Sequence, residues 1–176
     1  MIVDLQNISR SPRQFDLTFQ PDWWREGSGD IQIGGLEGPL GVKLTVSRDG
    51  ERFIMNGRLG GQLRLVCDRC LETYAFSLSH DFRLSLALPE SWESIEDETE
   101  LKIEDLGVGF ISTTKIDLDD IIREQIYLAL PIKALCENTC AGLCSRCGVN
   151  LNQEPCRCSG NSGHPAFLKL KELPIR

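Results

Sequence analysis

The sequence predicts an α+β fold: a mostly antiparallel β meander or barrel-like sheet, one helix packed on it, and a cysteine-rich module toward the C-terminus. Three observations predict it. From 74 to 88 the even positions, Tyr74 through Phe76, Leu78, His80, Phe82, Leu84 and Leu86 to Leu88, alternate with small or polar residues, the signature of a strand with one buried face. Residues 118–130 carry apolar side chains at spacings of three and four and end at Pro131, which reads as an amphipathic helix. Six of the eight cysteines lie between Cys136 and Cys158, and the other two, Cys67 and Cys70, form a separate C-x-x-C.

Taken in order, Ile2–Leu5 is a short strand candidate, and Phe15, Leu17 and Phe19 alternate along a second. Pro21 and Trp23-Trp24 break it, and Glu26 to Asp30 reads as a loop. Residues 31–66 read as a meander, in which Leu40, Val42, Leu44 and Val46 alternate with polar or small residues. Asp49-Gly50 is a two-residue hairpin turn, because both residue types tolerate positive φ. Gly57 and Gly60-Gly61 suggest bulges or sharp bends. Leu63, Leu65 and Val66 lead into Cys67, so the first C-x-x-C closes a strand and precedes the long alternating one. Fifteen residues is long for one strand, and a bend near His80-Asp81 is expected. Pro89 ends it. The stretch 90–105 holds eight acids and one lysine and reads as a solvated loop, with an acidic tether for a basic partner as the alternative. Asp117 caps the helix, with Asp120 in its first turn. After Cys158 a Ser/Gly/Asn loop leads to His164-Pro165 and a short helix candidate, Ala166 to Leu173.

Charge and composition narrow the function. The net charge is −7, but residues 1–132 hold 13 basic and 23 acidic side chains while 133–176 hold 6 and 3. An acidic body argues against broad, nonspecific contact with a phosphate backbone and suits a basic protein partner, or nucleic-acid contact confined to the tail. The N-terminus lacks a basic segment followed by an apolar run, and no apolar stretch is long enough to span a membrane. A cytoplasmic, monomeric protein is expected, an organellar precursor processed earlier being the alternative. In a reducing cytosol clustered cysteines are metal ligands before they are disulfides, although the even count permits four bridges.

Thiolates bind zinc tightly, and four of them complete its tetrahedral shell. Cys144, Cys147, Cys156 and Cys158 form a self-contained C-x2-C-x8-C-x-C. Cys67, Cys70, Cys136 and Cys140 are then also a set of four, which would staple the sheet to the segment after the helix across a long loop. Two zinc ions satisfy all eight thiols. One zinc with the remaining cysteines free or mutually paired is the alternative, and the sets can swap because Cys140 and Cys144 are close in sequence. Catalytic zinc keeps an open position beside a general base. Here there are two histidines and no His-Glu-x-x-His. His80 reads as a core or bend histidine and His164 as a surface one, or as a substitute ligand. Cys67-Asp68-Arg69-Cys70 could serve as a redox pair, but no βαβ context surrounds it.

Cys67-Asp68-Arg69-Cys70-Leu71-Glu72, the helix end Leu128-Ala129-Leu130-Pro131, and Gly142-Leu143-Cys144, Cys147-Gly148, Leu151-Asn152, Cys156 and Cys158, in this order, resemble the YceD family of large ribosomal RNA subunit accumulation proteins. The resemblance runs from about residue 40 to Cys158. It implies a role in accumulation or processing of large-subunit ribosomal RNA, hence in ribosome assembly. In bacteria such proteins are often encoded beside a large-subunit ribosomal protein, and plants carry plastid relatives. Some members lack the GLC-x-x-CG cluster yet keep cysteine or histidine at the positions of 67, 70, 136 and 140. The resemblance therefore implies a body, 1–140, with the helix 118–130, the acidic loop 90–105 and one zinc site, and a small zinc-binding module with its tail, 141–176.

The expected function is a non-catalytic assembly factor that binds a pre-large-subunit component, ribosomal RNA or a basic ribosomal protein, without a small-molecule substrate. The acidic body would meet basic protein, and Arg146, Arg157, Lys169 and Lys171 of the tail would meet RNA or simply be solvated. The tail has no aromatic platform for base stacking, Phe167 alone reading as core. The alternatives are a zinc-stabilised protein-interaction adaptor with no RNA contact and a nuclease or thiol-redox enzyme.

Overall fold

The computed structural model describes residues 1–8, 11–25, 32–88 and 107–158. The Glu26–Asp30 loop, the acidic stretch 90–105, His164, Phe167, Lys169, Lys171 and the helix candidate at 166–173 lie outside the described residues. The elements in chain order are β1 (Ile2–Asp4), a 3-10 turn (Leu5–Asn7), β2 (Arg13–Phe19), α1 (Pro21–Arg25), β3 (Ile33–Leu36), β4 (Leu40–Asp49), β5 (Arg52–Val66), β6 (Thr73–Ala87), β7 (Val108–Phe110), β8 (Lys115–Asp117) and α2 (Leu118–Ala129).

Two sheets result. β1 and β8 form an antiparallel pair. The large sheet has the order β2-β4-β5-β6-β7, with β3 also on β5. β5 is its spine: β6 pairs along its whole length on one edge, while β4 and then β3 share the other. The sheet is open among the described residues, not barrel-like. β2 pairs only with β4, and the far edge is the three-residue β7, parallel to β6. Its apolar face is covered by a helix rather than by closure on itself.

Direct cross-strand partners share a face, so the register lines up rows of core side chains. One row runs Phe15, Leu44, Gly57, Phe82, and the next runs Leu17, Val42, Leu59, His80. Leu40, Val42, Leu44, Val46, Met55, Leu59, Leu63 and Leu65 are all buried. On the same core pack Trp24 of α1 and Leu118, Ile122 and Ile126 of α2. Asp117 caps α2 by accepting from the Asp119 N–H, at 3.0 Å. The helix stops at Ala129, one residue before the expected end, because Pro131 drives Leu130 into extended backbone (φ −70, ψ 145). Leu128 faces solvent, off the apolar stripe.

Three further expectations are corrected, for the hairpin turn, the glycines of β5 and the segment Pro21–Arg25. The hairpin turn is Gly50-Glu51, one residue later than Asp49-Gly50, since Asp49 and Arg52 are the last pair of the ladder. Gly50 alone takes positive φ (60°), and a II′ turn wants glycine at its first central position. Gly57, Gly60 and Gly61 make no bulge: β6 pairs with all three without a shift, and β4 does so with Gly57 and Gly60. Gly57 instead makes room for the Phe82 ring. The ladder also runs through His80-Asp81 without a break in register. Pro21–Arg25, expected only as an interruption, is the helix α1, too short to show a period. Arg123 of α2 donates to the carbonyl oxygens of Trp23 and Trp24 and lies over the Trp23 ring at 4.2 Å.

Candidate metal centres

Both cysteine groups grow from one local structure. After β5 the chain turns through Cys67-Asp68-Arg69-Cys70, the Leu71 N–H donates to the Cys67 oxygen at 2.9 Å, and the Cys67 N–H donates to the Glu72 oxygen at 2.9 Å. At Cys144-Ser145-Arg146-Cys147 the Gly148 N–H donates to the Cys144 oxygen at 2.9 Å and the Cys144 N–H to the Val149 oxygen at 2.8 Å. The residue after the second cysteine is left-handed in each, Leu71 at φ 61 and Gly148 at φ 74. This turn aims two sulfurs at one point and directs backbone N–H groups toward them.

The remaining sulfurs arrive from elsewhere. Asp68 grips the segment after α2 twice: its N–H donates to the Ala134 oxygen at 2.8 Å, and its carboxylate accepts the Ala134 N–H at 2.7 Å. Arg69 donates to the Cys140 oxygen at 2.8 Å. Cys136 and Cys140 are thereby held against Cys67 and Cys70, and the four sulfurs lie within 4.8 Å of one another. The sulfurs of Cys144, Cys147, Cys156 and Cys158 make a second set by the same measure. Among the described residues neither group includes a histidine; His80 is half-buried against the Phe82 ring, 6.2 Å away.

The spacing fits a metal rather than a disulfide. Sulfur–sulfur distances are 3.8 Å for Cys67–Cys140 and 3.7 Å for Cys70–Cys136. In the second group Cys147–Cys156 is 3.7 Å and Cys144–Cys156 is 3.2 Å. A disulfide needs about 2.05 Å, whereas four thiolates about 2.3 Å from a tetrahedral ion stand about 3.8 Å apart. All eight cysteines are free. Two four-cysteine groups that can hold metal ions are therefore present. The first is mostly buried and packed by Tyr74 and Leu135, and the second is more open, with Cys147 exposed.

Their electrostatics repeat as well. Burial raises the Cys67 thiol, but backbone N–H groups of Cys70, Cys136 and Arg69 outweigh it and bring it down to about 6. Backbone N–H groups of Cys147 and Arg146 bring Cys144 down to about 6. Burial and the neighbouring sulfurs, Cys140 first, push Cys136 up to about 12, and the sulfurs of Cys156 and Cys147, with burial, do the same to Cys158. The backbone donors of each C-x-x-C turn thus favour the thiolate form of its first cysteine.

A family model described as large ribosomal RNA subunit accumulation protein YceD matches residues 55–174. The chain belongs to the YceD family. The match takes in β6, α2 and all eight cysteines, and leaves β1 to β4 outside. Among curated proteins, a chloroplastic YceD homologue of Arabidopsis thaliana, named for large ribosomal RNA subunit accumulation, is 25% identical over 163 residues, covering 77% of this chain and 48% of that protein. An uncharacterised protein of Mycobacterium tuberculosis is 30% identical over 185 residues, covering 98% of this chain and 81% of its own length. The Zea mays chloroplastic homologue is 27% identical over 146 residues, covering 68% of this chain and 48% of its own. The chain thus spans about half the length of these plant relatives. No solved structure matches it significantly.

The residues that position the sulfurs were only partly legible. Asp68, Arg69 and Glu72 stand inside the YceD motif, yet spacing gives them no role; Asn150 and Asn152 read as turn formers. Leu71 carries a signal in hindsight, because it stands where the second turn has Gly148. It is 63% exposed and holds a left-handed conformation that costs a branched side chain about 1–2 kcal/mol. Leu71→Gly is expected to raise stability by about 1 kcal/mol in denaturant unfolding, with metal content unchanged; a loss of stability would show that the side chain holds a contact.

Proposed function

We propose that this protein is a non-catalytic, zinc-stabilised factor that supports accumulation and processing of large-subunit ribosomal RNA by binding a pre-large-subunit component. The observation that carries this reading is the family match over residues 55–174, which spans both cysteine groups. Cys67, Cys70, Cys136 and Cys140 would hold one zinc, and Cys144, Cys147, Cys156 and Cys158 the other. Zinc there would supply cross-links and no chemistry: four thiolates close its shell, and no general base stands among either set. The first zinc belongs to the body, 1–140, and the second to the small module of 141–176.

The two ions would shape a surface beside an acidic body. The exposed Leu71, Leu128 and Ile132 lie on and before the segments that carry the first group and are apolar side chains that a protein partner would cover. A second reading, an interaction adaptor with no RNA contact, draws on the same exposed apolar residues and the net charge of −7. No helix of the described residues is long and apolar enough to cross a membrane. The cytoplasm is the proposed compartment for this chain, while the named plant relatives are chloroplastic.

Affinity capture of the tagged protein from cells, with and without nuclease, tests the proposal. Precursor large-subunit ribosomal RNA and large-subunit proteins are expected in the untreated sample. A single protein partner retained through nuclease and high salt, with no ribosomal RNA in either sample, would favour the adaptor.

A further inference from the structure

The second cysteine group is hydrogen-bonded to the first through the loop between Cys147 and Cys156. The Asn152 amide has three partners: its Oδ1 accepts the Ala141 N–H at 2.7 Å, and its Nδ2 donates to Asn150 Oδ1 at 2.8 Å and to the Cys140 sulfur at 3.3 Å. The amide thus reaches from the second group to a sulfur of the first. Asn150 and Gln153, in the same turn, donate to Glu72 Oε1 at 3.1 and 2.6 Å. Glu72 is two residues past Cys70, and its carbonyl oxygen closes the first turn. Between the groups, Gly142 takes φ 75 and passes so close to the Arg69 carbonyl oxygen that a Cβ would stand 3.0 Å from it. The Leu143 N–H donates to that same oxygen at 3.0 Å, and the Leu151 N–H donates to the Gly142 oxygen at 2.9 Å.

We infer that the two metal sites are thermodynamically coupled, with Asn152 as the positioning residue that links them. This rests on the reading that both groups hold metal. An N–H donated to a metal-bound thiolate stabilises its charge and fixes its direction, and loss of such a partner commonly weakens metal binding 10- to 100-fold. The turn that offers the Asn152 N–H is closed at both ends by the second group, by Cys147 before it and Cys156 after it. An ion on the second group holds that loop in shape and so holds the donor on Cys140. Emptying the second group frees the loop and removes the donor. By reciprocity an ion on the first group, which fixes Cys140 and the Glu72 turn, strengthens the second group by the same factor. The buried site and the more open site therefore each bind more tightly when the other is filled.

The test follows metal release from the holoprotein into an excess of a colorimetric zinc chelator, after metal content has been counted for each variant. Wild type, Cys156→Ser, Asn152→Ala and Asn152→Asp are compared. The ion left in Cys156→Ser is expected to depart at least tenfold faster than the slow phase of the wild type. Asn152→Ala is expected to keep two ions and to speed that phase similarly. Asn152→Asp retains an acceptor for the Ala141 N–H but sets a carboxylate against the Cys140 sulfur, so it should release fastest; a merely loop-holding asparagine would be rescued by aspartate. Should Cys156→Ser not fold, the two Asn152 variants carry the test. Two ions released at wild-type rates in the Asn152 variants, or wild-type slow release from folded Cys156→Ser, would overturn the coupling alone. A wild-type protein without metal would overturn the metal reading and the coupling with it.

Discussion

Cys67→Ser is expected to lower global stability by about 4 kcal/mol and to take one metal ion of two. The reason lies in what the first group joins. Cys67 and Cys70 lie in the turn between β5 and β6, whereas Cys136 and Cys140 follow α2, and the sulfurs in contact are 66 and 73 residues apart in sequence. A cross-link that closes a loop of about 70 residues restricts the unfolded chain by about 4 kcal/mol, and the bonds of a bound metal to the thiolates would add to it. Serine also leaves a buried hydroxyl among three thiols and one ligand fewer for a cation. Cys156→Ser opens a loop of about ten residues and, through Asn152, loosens the first site by about 1.4 kcal/mol for a tenfold loss of affinity. Guanidinium unfolding followed by fluorescence of the buried Trp24, with elemental analysis of each variant, separates the two. Equal losses from both substitutions, or a Cys67→Ser loss under about 1 kcal/mol, would remove the staple from the account.

Gly57→Ala is expected to cost about 3 kcal/mol. A Cβ built there would stand 2.2 and 2.3 Å from two carbons of the Phe82 ring and 2.7 Å from Leu44 Cδ2. The strand cannot step aside, since β5 is paired on both edges at this row, opposite Leu44 of β4 and Phe82 of β6. The ring must leave its place instead, and Phe82 belongs to the core that carries α2. Phe82→Leu shortens the side chain that blocks the methyl, so the double variant should be at least 1 kcal/mol more stable than the two single losses added together. Urea midpoints of the four proteins measure this. An alanine variant within 0.5 kcal/mol of wild type would mean that the row is less tightly packed than its distances.

Alternation and spacing carried much of the molecule. The strand of Thr73–Ala87, the strand of Leu40–Asp49 and the capped helix from Leu118 were legible because a one-sided core writes a period of two or of 3.6 into the chain. The five-residue α1 was not, because one turn has no period. The open edge was not, because the alternation of β6 says that one face is buried and nothing about whether a second sheet edge or a helix covers it. The glycines of β5 invited a reading as bulges, since an absent side chain looks the same in sequence whether it frees the backbone or yields space to a neighbour. Only the register, with Phe82 opposite Gly57, tells the two apart.

The sequence by itself determined that the chain has eight thiols in pairs at turn spacing, and that Cys144 to Cys158 can meet locally. A C-x-x-C turn is a short-range structure, decided by a few consecutive residues. Tertiary structure decided what those turns meet. Asp68 and Arg69 acquire meaning only when the backbone after α2 arrives to accept and donate. Asn152 changes from a turn former to a bridge only when its loop lies on Cys140. Hydrogen bonds between distant segments have a range of about 3 Å, so they leave no period and no fixed spacing in the chain, and the link between the two cysteine groups is visible only once both are folded against each other.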